Sequence, residues 1–198
     1  AIQLGLKHFE VVRPEFKLSP PSSTLARFVE GSLFIGDALS KRLYQFNEQL
    51  QLVNAANVRE GAVWLNDRPE ELLVTVMGSF SPTDAPSGFL LELPKSPGRK
   101  PRVLIGNLQR PVHTELGDLN GDGREDAVVC EFAKWTGSLS WWEKGVDGSF
   151  TRHILRDEPG ATRAYIRDLN GDGLPDVTAL FGQGGEGIYA YYNEGNGK

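Results

Sequence analysis

The chain has 198 residues, 39% of them hydrophobic and 24% charged, with a mean hydropathy of −0.32. These values are ordinary for a globular protein, and no apolar run approaches the roughly 18 residues of a membrane-spanning helix. The net charge of −5 argues against a nucleic-acid partner or a polybasic membrane arm, and the 23 Gly and 12 Pro predict a fold with many turns.

The N-terminal part of the chain contains one candidate strand. Within residues 1–13, the segment 7–12 predicts a strand that could complete the last of a set of sheets and close a ring. The proline-rich residues 14–21 are typical of a linker or a sheet edge. Because position 1 is Ala rather than Met and no leader follows it, we expect a processed chain or a piece of a longer precursor.

Residues 22–58 and 59–110 contain short apolar segments that predict two faint repeats of strands. The candidate strands are 33–36, 42–46, 49–53, 64–67, 72–76, 88–93 and 102–105. In the first repeat a helix is the alternative, because Leu43, Phe46, Leu50 and Val53 also fit helical spacing. We favour strands there, since a hairpin turn can form at residues 47–48.

The clearest feature of the chain is an internal repeat. Residues 118–123 and 168–173 are the same six residues, Asp-Leu-Asn-Gly-Asp-Gly, at an offset of 50 positions. Each copy is preceded by an alternating segment and followed by an Asp and a run of residues that favour strands. Residues 111–160 and 161–198 therefore form two clear repeats, each predicted to contain a strand, a loop and further strands.

The repeats predict an all-β fold, a β-propeller or a propeller segment built of four-stranded antiparallel blades of about 50 residues. A blade cannot bury both of its faces alone, so neighbouring blades must pack on it. We therefore expect residues 1–198 to form a single propeller domain or an excised part of a larger one.

The two identical loops carry a candidate set of metal ligands. Loop positions 1, 3, 5 and 9 offer side-chain oxygens, and position 7 offers a backbone carbonyl: Asp118, Asn120, Asp122, Asp126 and the carbonyl of Arg124, then Asp168, Asn170, Asp172, Asp176 and the carbonyl of Leu174. Ca²⁺ takes six to eight oxygen ligands in irregular geometry, whereas Mg²⁺ prefers fewer protein ligands and softer metals prefer His or Cys. The loops therefore predict about two Ca²⁺ ions per chain.

The same loop spacing has two alternative interpretations. An EF-hand needs a glutamate at position 12 and flanking helices, but that position holds Val129 or Ala179 within strand-like runs. The other alternative is a pair of Asx-rich hairpin turns that bind no metal. Because the same six residues occur twice, each time with an Asp at position 9, a calcium site is favoured over metal-free turns.

Residues 118–129 and 168–178 resemble the calcium loops of FG-GAP/VCBS-type repeats, which form β-propellers in integrin α-subunits and in many secreted bacterial proteins. The resemblance implies one Ca²⁺ ion in the hairpin between the first and second strands of a blade. The sequence resemblance is strong over residues 111–198. Over residues 22–110 only the predicted order of strands is similar, because the loop at residues 66–71 lacks the alternating ligands.

The predicted function is that of a calcium-stabilised, non-catalytic binding module or scaffold outside the cytoplasm, extracellular or periplasmic. Its partners would be a protein or glycan ligand and further blades or domains of a longer precursor, with no nucleic acid and no membrane span. The alternative is part of a secreted carbohydrate-active or redox enzyme with its active site on the propeller face or in an attached domain. No catalytic residue can be assigned, because His8, His113 and His153 have no recognisable nucleophile beside them.

Overall fold

The computed structural model describes residues 22–96 and 98–195. The predicted ring-closing strand within residues 1–13 and the proline-rich segment 14–21 lie outside these described residues. In the described part of the chain, the regular structure consists of fifteen β-strands arranged in four sheets. No helix in these residues has the length and apolar character that a membrane crossing requires.

Each sheet is built from consecutive strands of the chain. The first sheet contains β1 Ser23–Val29, β2 Ser32–Asp37, β3 Arg42–Phe46 and β4 Leu52–Asn57. The second contains β5 Ala62–Asp67, β6 Glu71–Val76, β7 Gly88–Pro94 and β8 Arg102–Leu108. The third contains β9 Pro111–Gly117, β10 Asp126–Glu131, β11 Leu139–Lys144 and β12 Phe150–Arg156. The fourth contains β13 Ala161–Arg167, β14 Asp176–Phe181 and β15 Gly187–Tyr191.

All strands within a sheet pair in sequential antiparallel order. The first strand of each sheet packs against the first strand of the next, β1 on β5, β5 on β9 and β9 on β13. The sheets therefore stack around their first strands, as the blades of a propeller do. The prediction of an all-β fold built of antiparallel blades is confirmed.

Among the described residues, three apolar clusters fill the spaces between consecutive sheets, and each cluster joins two sheets. The strand β10 shows how one strand serves two clusters. Its residues Ala127 and Val129 pack toward the second sheet, whereas Val128 and Cys130 pack toward the fourth. Because successive side chains point to opposite faces, a strand buried on both sides reads as a continuous apolar run.

The structure decides between strand and helix in the first repeat. Strands β3 and β4 cover the region where a helix was the alternative, so the prediction of strands is confirmed. The second of these strands begins at Leu52 rather than at residue 49. The reason is the side chain of Asn47, whose Oδ1 accepts the N–H groups of Gln49 and Gln51 at 3.1 and 2.9 Å and lengthens the turn. Strand β1 has no counterpart among the strands predicted from the sequence.

Candidate functional site

The two Asp-rich loops occupy the same place in the third and fourth sheets. Residues 118–125 connect β9 to β10, and residues 168–175 connect β13 to β14. Each loop therefore joins the first and second strands of its sheet, as the sequence predicted.

In the first loop, the carboxylate at position 1 holds the backbone in a tight curl. Asp118 accepts the N–H of Gly121 on Oδ1 and that of Gly123 on Oδ2, both at 2.8 Å. Gly123 has a φ of 81°, in the left-handed region that a residue with a Cβ adopts only with strain. This glycine allows the chain to turn so that its N–H group points back at Asp118.

The second loop repeats the same curl. Asp168 accepts the N–H of Gly171 on Oδ1 at 2.7 Å and that of Gly173 on Oδ2 at 3.0 Å. Oδ1 of Asn170 accepts the N–H of Asp172 at 3.0 Å, and the corresponding bond in the first loop measures 3.1 Å. The two loops thus share these hydrogen bonds as well as their sequence, and the first adds one from the N–H of Asp122 to Oδ1 of Asp118 at 3.1 Å.

The two loops differ at position 7, where the first has Arg124 and the second has Leu174. The guanidinium of Arg124 forms an ion pair with Asp122, and its Nε donates to the carbonyl of Lys144 at 2.7 Å. Leu174 offers no charge, and in its loop Oδ2 of Asp172 instead accepts the side-chain amide of Asn170. The first loop therefore contains a cation of its own.

The ninth-position aspartates anchor the loops to the sheets. Asp126 is fully buried and accepts three hydrogen bonds, from Leu119 N at 3.2 Å, Trp141 Nε1 at 3.0 Å and Lys144 N at 2.8 Å. Trp141 and Lys144 belong to β11, so this carboxylate ties the loop to the third strand of its sheet.

Asp176 has the equivalent place in the fourth sheet. It accepts the N–H groups of Asn193 and Leu169 at 2.8 and 2.9 Å, and these hydrogen bonds hold the pKa of its carboxyl below the ordinary value. Asn193 also donates through Nδ2 to the carbonyl of Leu119 at 2.7 Å, which links the two loops across the boundary between their sheets.

The chemistry of both loops fits a hard cation such as Ca²⁺. The side-chain ligand atoms at positions 1, 3, 5 and 9 are carboxylate or amide oxygens. Those that accept a single N–H, such as Oδ2 of Asp118 and Oδ1 of Asp168, keep a second lone pair for a metal. Among the described residues, however, no three acidic, His or Cys side chains lie close enough to share one ion. The structure places the predicted ligands in the two loops and at the first residues of β10 and β14, but it does not draw three carboxylates to one point.

A second cluster of polar side chains lies where the first strands meet, and no pattern in the sequence predicts it. Trp64 of β5 has the guanidinium carbons of Arg27 and Arg163 at 3.8 and 4.0 Å from its ring centroid. The ring of His113 lies 4.5 Å from that of Trp64. Each of these residues belongs to a different sheet. The repeats are too dissimilar in sequence to show that these four positions meet in the fold.

Comparison with known proteins finds a family match over part of the chain and a distant structural similarity. Residues 118–179, which include both loops, match the FG-GAP-like repeat family, so the predicted resemblance is confirmed over this part of the chain. A solved structure of a luciferin-regenerating enzyme is similar with a TM-score of 0.43 and 11% identity, over 82% of this chain and 57% of that one. The chain thus corresponds to less than two thirds of that protein's length. No curated protein matches the sequence.

Proposed function

We propose that this chain is a β-propeller or a propeller segment stabilised by two Ca²⁺ ions, and that it serves as a non-catalytic binding module or scaffold outside the cytoplasm. The observation that carries the proposal is the shared hydrogen bonding of the two loops. In both, N–H groups of the loop donate to the side-chain oxygens of positions 1, 3 and 5 and hold these oxygens at the tip of a hairpin.

The residues that would hold the ions are those at loop positions 1, 3, 5, 7 and 9. A bound Ca²⁺ supplies positive charge that neutralises these carboxylates. The chain itself supplies the curled backbone, the anchoring of the ninth-position carboxylate to the sheet and, in the first loop, the guanidinium of Arg124. We expect the second loop to depend more strongly on Ca²⁺, because Leu174 offers no such charge.

A location outside the cytoplasm is proposed from the expected affinity. Extracellular calcium modules bind Ca²⁺ with dissociation constants of about 10⁻⁴–10⁻³ M, which suits a millimolar supply. At ten to a hundred times its dissociation constant, a ligand adds about 1.4–2.7 kcal/mol to the free energy of unfolding.

The role as a binding module is supported by the loop between β10 and β11. Trp135 in this loop is 70% exposed, yet its backbone is held in place. Oδ1 of Asp84, from the loop between β6 and β7, accepts the N–H groups of Lys134, Trp135 and Thr136 at 3.0, 2.7 and 3.2 Å. An exposed aromatic side chain on a fixed backbone is a suitable anchor for a protein or glycan ligand, because little entropy is lost on binding.

The metal is tested by elemental analysis and by thermal unfolding with and without EGTA. We expect about two Ca²⁺ per chain and a melting temperature that falls when they are removed. Asp118→Ala and Asp168→Ala should each remove one ion. Finding no bound divalent ion at millimolar Ca²⁺ would overturn the calcium part of the proposal.

The difference between the loops gives a matched pair of variants. Arg124→Leu makes the first loop resemble the second, and Leu174→Arg does the reverse. We expect Arg124→Leu to steepen the dependence of stability on Ca²⁺ and Leu174→Arg to flatten it. Equal effects of the same sign would contradict the assignment of Arg124 as an internal cation.

The binding role is tested with a glycan and protein array, comparing the unsubstituted chain with Trp135→Ala. A matched screen for lyase and hydrolase activity tests the enzyme alternative. Turnover abolished by one carboxylate substitution, with Ca²⁺ occupancy intact, would overturn the non-catalytic assignment.

A further inference from the structure

The asparagine at position 3 of the first loop is tied to a neighbouring strand. Nδ2 of Asn120 donates to Oε1 of Glu143 at 3.0 Å, and Glu143 belongs to β11. Oδ1 of the same side chain accepts the N–H of Asp122 at 3.1 Å. These two hydrogen bonds act on opposite atoms of one amide group, so together they fix the direction in which the amide is turned.

The orientation of this amide decides whether Asn120 can serve as a metal ligand. A cation binds the carbonyl oxygen of an asparagine and is repelled by its NH₂ group. An ionised carboxylate only accepts hydrogen bonds, so Glu143 pairs with Nδ2 and not with Oδ1. Oδ1 is left on the loop side, where it accepts one N–H and keeps a second lone pair for an ion.

Glu143 is itself held in place by a residue of β12. Its Oε2 lies 2.9 Å from Nε2 of His153, and the ring of His153 stacks on the indole of Trp141 with the centroids 4.4 Å apart. Nε1 of Trp141 donates to the carboxylate of Asp126 at 3.0 Å. One short series of contacts therefore joins the predicted ligands at positions 3 and 9 of the first loop.

The fourth sheet has no carboxylate at the corresponding position. Its register puts Tyr192 where the third sheet has Glu143. Nδ2 of Asn170, the asparagine of the second loop, donates to Oδ2 of Asp172 within the same loop at 2.8 Å. Among the described residues, the first loop is thus the one of the two whose asparagine is oriented by a strand.

We propose that Glu143 is a positioning residue for the calcium site of the first loop, because it turns the amide of Asn120 so that Oδ1 is presented to the ion. This inference rests on the proposed function, since it concerns the same Ca²⁺ site. A cation on Oδ1 polarises the amide and strengthens its NH₂ group as a donor, so the bond to the ion and the hydrogen bond to Glu143 support each other. Such partners of metal ligands change metal affinity by about ten- to a hundredfold when they are removed.

The test is calorimetric titration of the metal-free full chain with calcium chloride, in variants that keep one loop. Asp168→Ala leaves the first loop as the predicted site, and Asp118→Ala leaves the second. In the Asp168→Ala chain, Glu143→Leu should weaken Ca²⁺ binding about tenfold or more. In the Asp118→Ala chain, the same substitution should leave the affinity within about twofold, so the second loop is the control.

A conservative variant separates the hydrogen bond from the charge. Glu143→Gln keeps an oxygen that can accept Nδ2 of Asn120 but loses the negative charge, whereas Glu143→Leu loses both. The side chain of Glu143 is 34% exposed, so its charge is screened by solvent. In the Asp168→Ala chain we therefore expect Glu143→Gln to bind Ca²⁺ within about threefold of the affinity found with Glu143 present. Equal weakening by Gln and Leu would assign the effect to charge and overturn the positioning role.

Folding of each variant is checked by circular dichroism in metal-free buffer. If Glu143→Leu does not fold, Glu143→Thr replaces it, because Thr favours strands and its side chain is two bonds shorter than that of Glu. Unchanged affinity of the first loop in the variant used would overturn this inference and leave the calcium sites in place. No Ca²⁺ binding by the unsubstituted chain would instead overturn the proposed function, and this inference with it.

Discussion

Replacing Asp126 with Asn tests whether this buried carboxylate is an anchor for its sheet or chiefly a metal ligand. The three donors to Asp126 divide between its oxygens: Leu119 N and Trp141 Nε1 bind Oδ2, and Lys144 N binds Oδ1. An Asn side chain that keeps its oxygen at the Oδ2 position retains two of these bonds. Its amide nitrogen then faces the N–H of Lys144, and one charge-assisted hydrogen bond is lost.

The expected cost of Asp126→Asn follows from that one bond. A hydrogen bond to a charged group contributes about 1.5–3 kcal/mol, so we expect the free energy of unfolding to fall by about 2 kcal/mol. For a chain of this size, that loss lowers the melting temperature by roughly 4–8 °C. The loss should appear in metal-free buffer, because the three donors belong to the chain and not to an ion.

The assay is urea and thermal unfolding of Asp126→Asn in metal-free buffer and at millimolar Ca²⁺. Asp157→Asn is the control, since Asp157 is an exposed carboxylate and its loss should change stability by no more than about 0.5 kcal/mol. A variant as stable as the unsubstituted chain without metal, but less stable with Ca²⁺, would refute the anchoring role.

Three further predictions concern single residues. Gly123→Ala should destabilise the chain by about 1–2 kcal/mol in urea unfolding, because Gly123 has a φ of 81°, whereas Gly106→Ala in strand β8 should be nearly neutral. Burial, and then the charges of Arg163 and Arg27, lower the pKa of His113 to about 3. Only the unfolded chain therefore takes up this proton as pH falls below about 6.5, so stability should fall from pH 7 to pH 5, and His113→Gln should flatten that dependence. Burial raises the pKa of the Cys130 thiol, so a thiol reagent should label Cys130 only at urea concentrations that unfold the chain, and labelling of the native chain would contradict its burial.

Much of the fold could be predicted because the relevant signals are local. The two copies of Asp-Leu-Asn-Gly-Asp-Gly mark the hairpins between β9 and β10 and between β13 and β14. The apolar run at residues 127–130 marks a strand with both faces buried. Strand β1 was missed because Ser23–Val29 alternates weakly and is largely exposed or half-buried, so its pairing with β2 determines its structure more than its own pattern does.

The candidate sites divide in the same way. The positions of the predicted loop ligands follow from spacing within nine residues, so the sequence alone places them at the two hairpins. The aspartate at position 9 could be identified, but its bonds to Trp141 and Lys144 could not, because they depend on the register of β10 against β11. The cluster of Arg27, Trp64 and Arg163 depends on how whole sheets are placed, and sequence spacing carries no information on that.

The arrangement of the three apolar clusters has a consequence for how the molecule opens. Strands β6 and β10 contribute to clusters on both of their faces, whereas β4 and β15 have burial patterns that are mostly exposed or half-buried. Backbone amides of β6 and β10 should therefore exchange with deuterium only through global unfolding, and those of β4 and β15 through local fraying. Protection against exchange should therefore decrease from the middle sheets to the outer ones. Such a gradient is typical of a repeat protein, in which the stability of each sheet depends on its contacts with the neighbouring sheets.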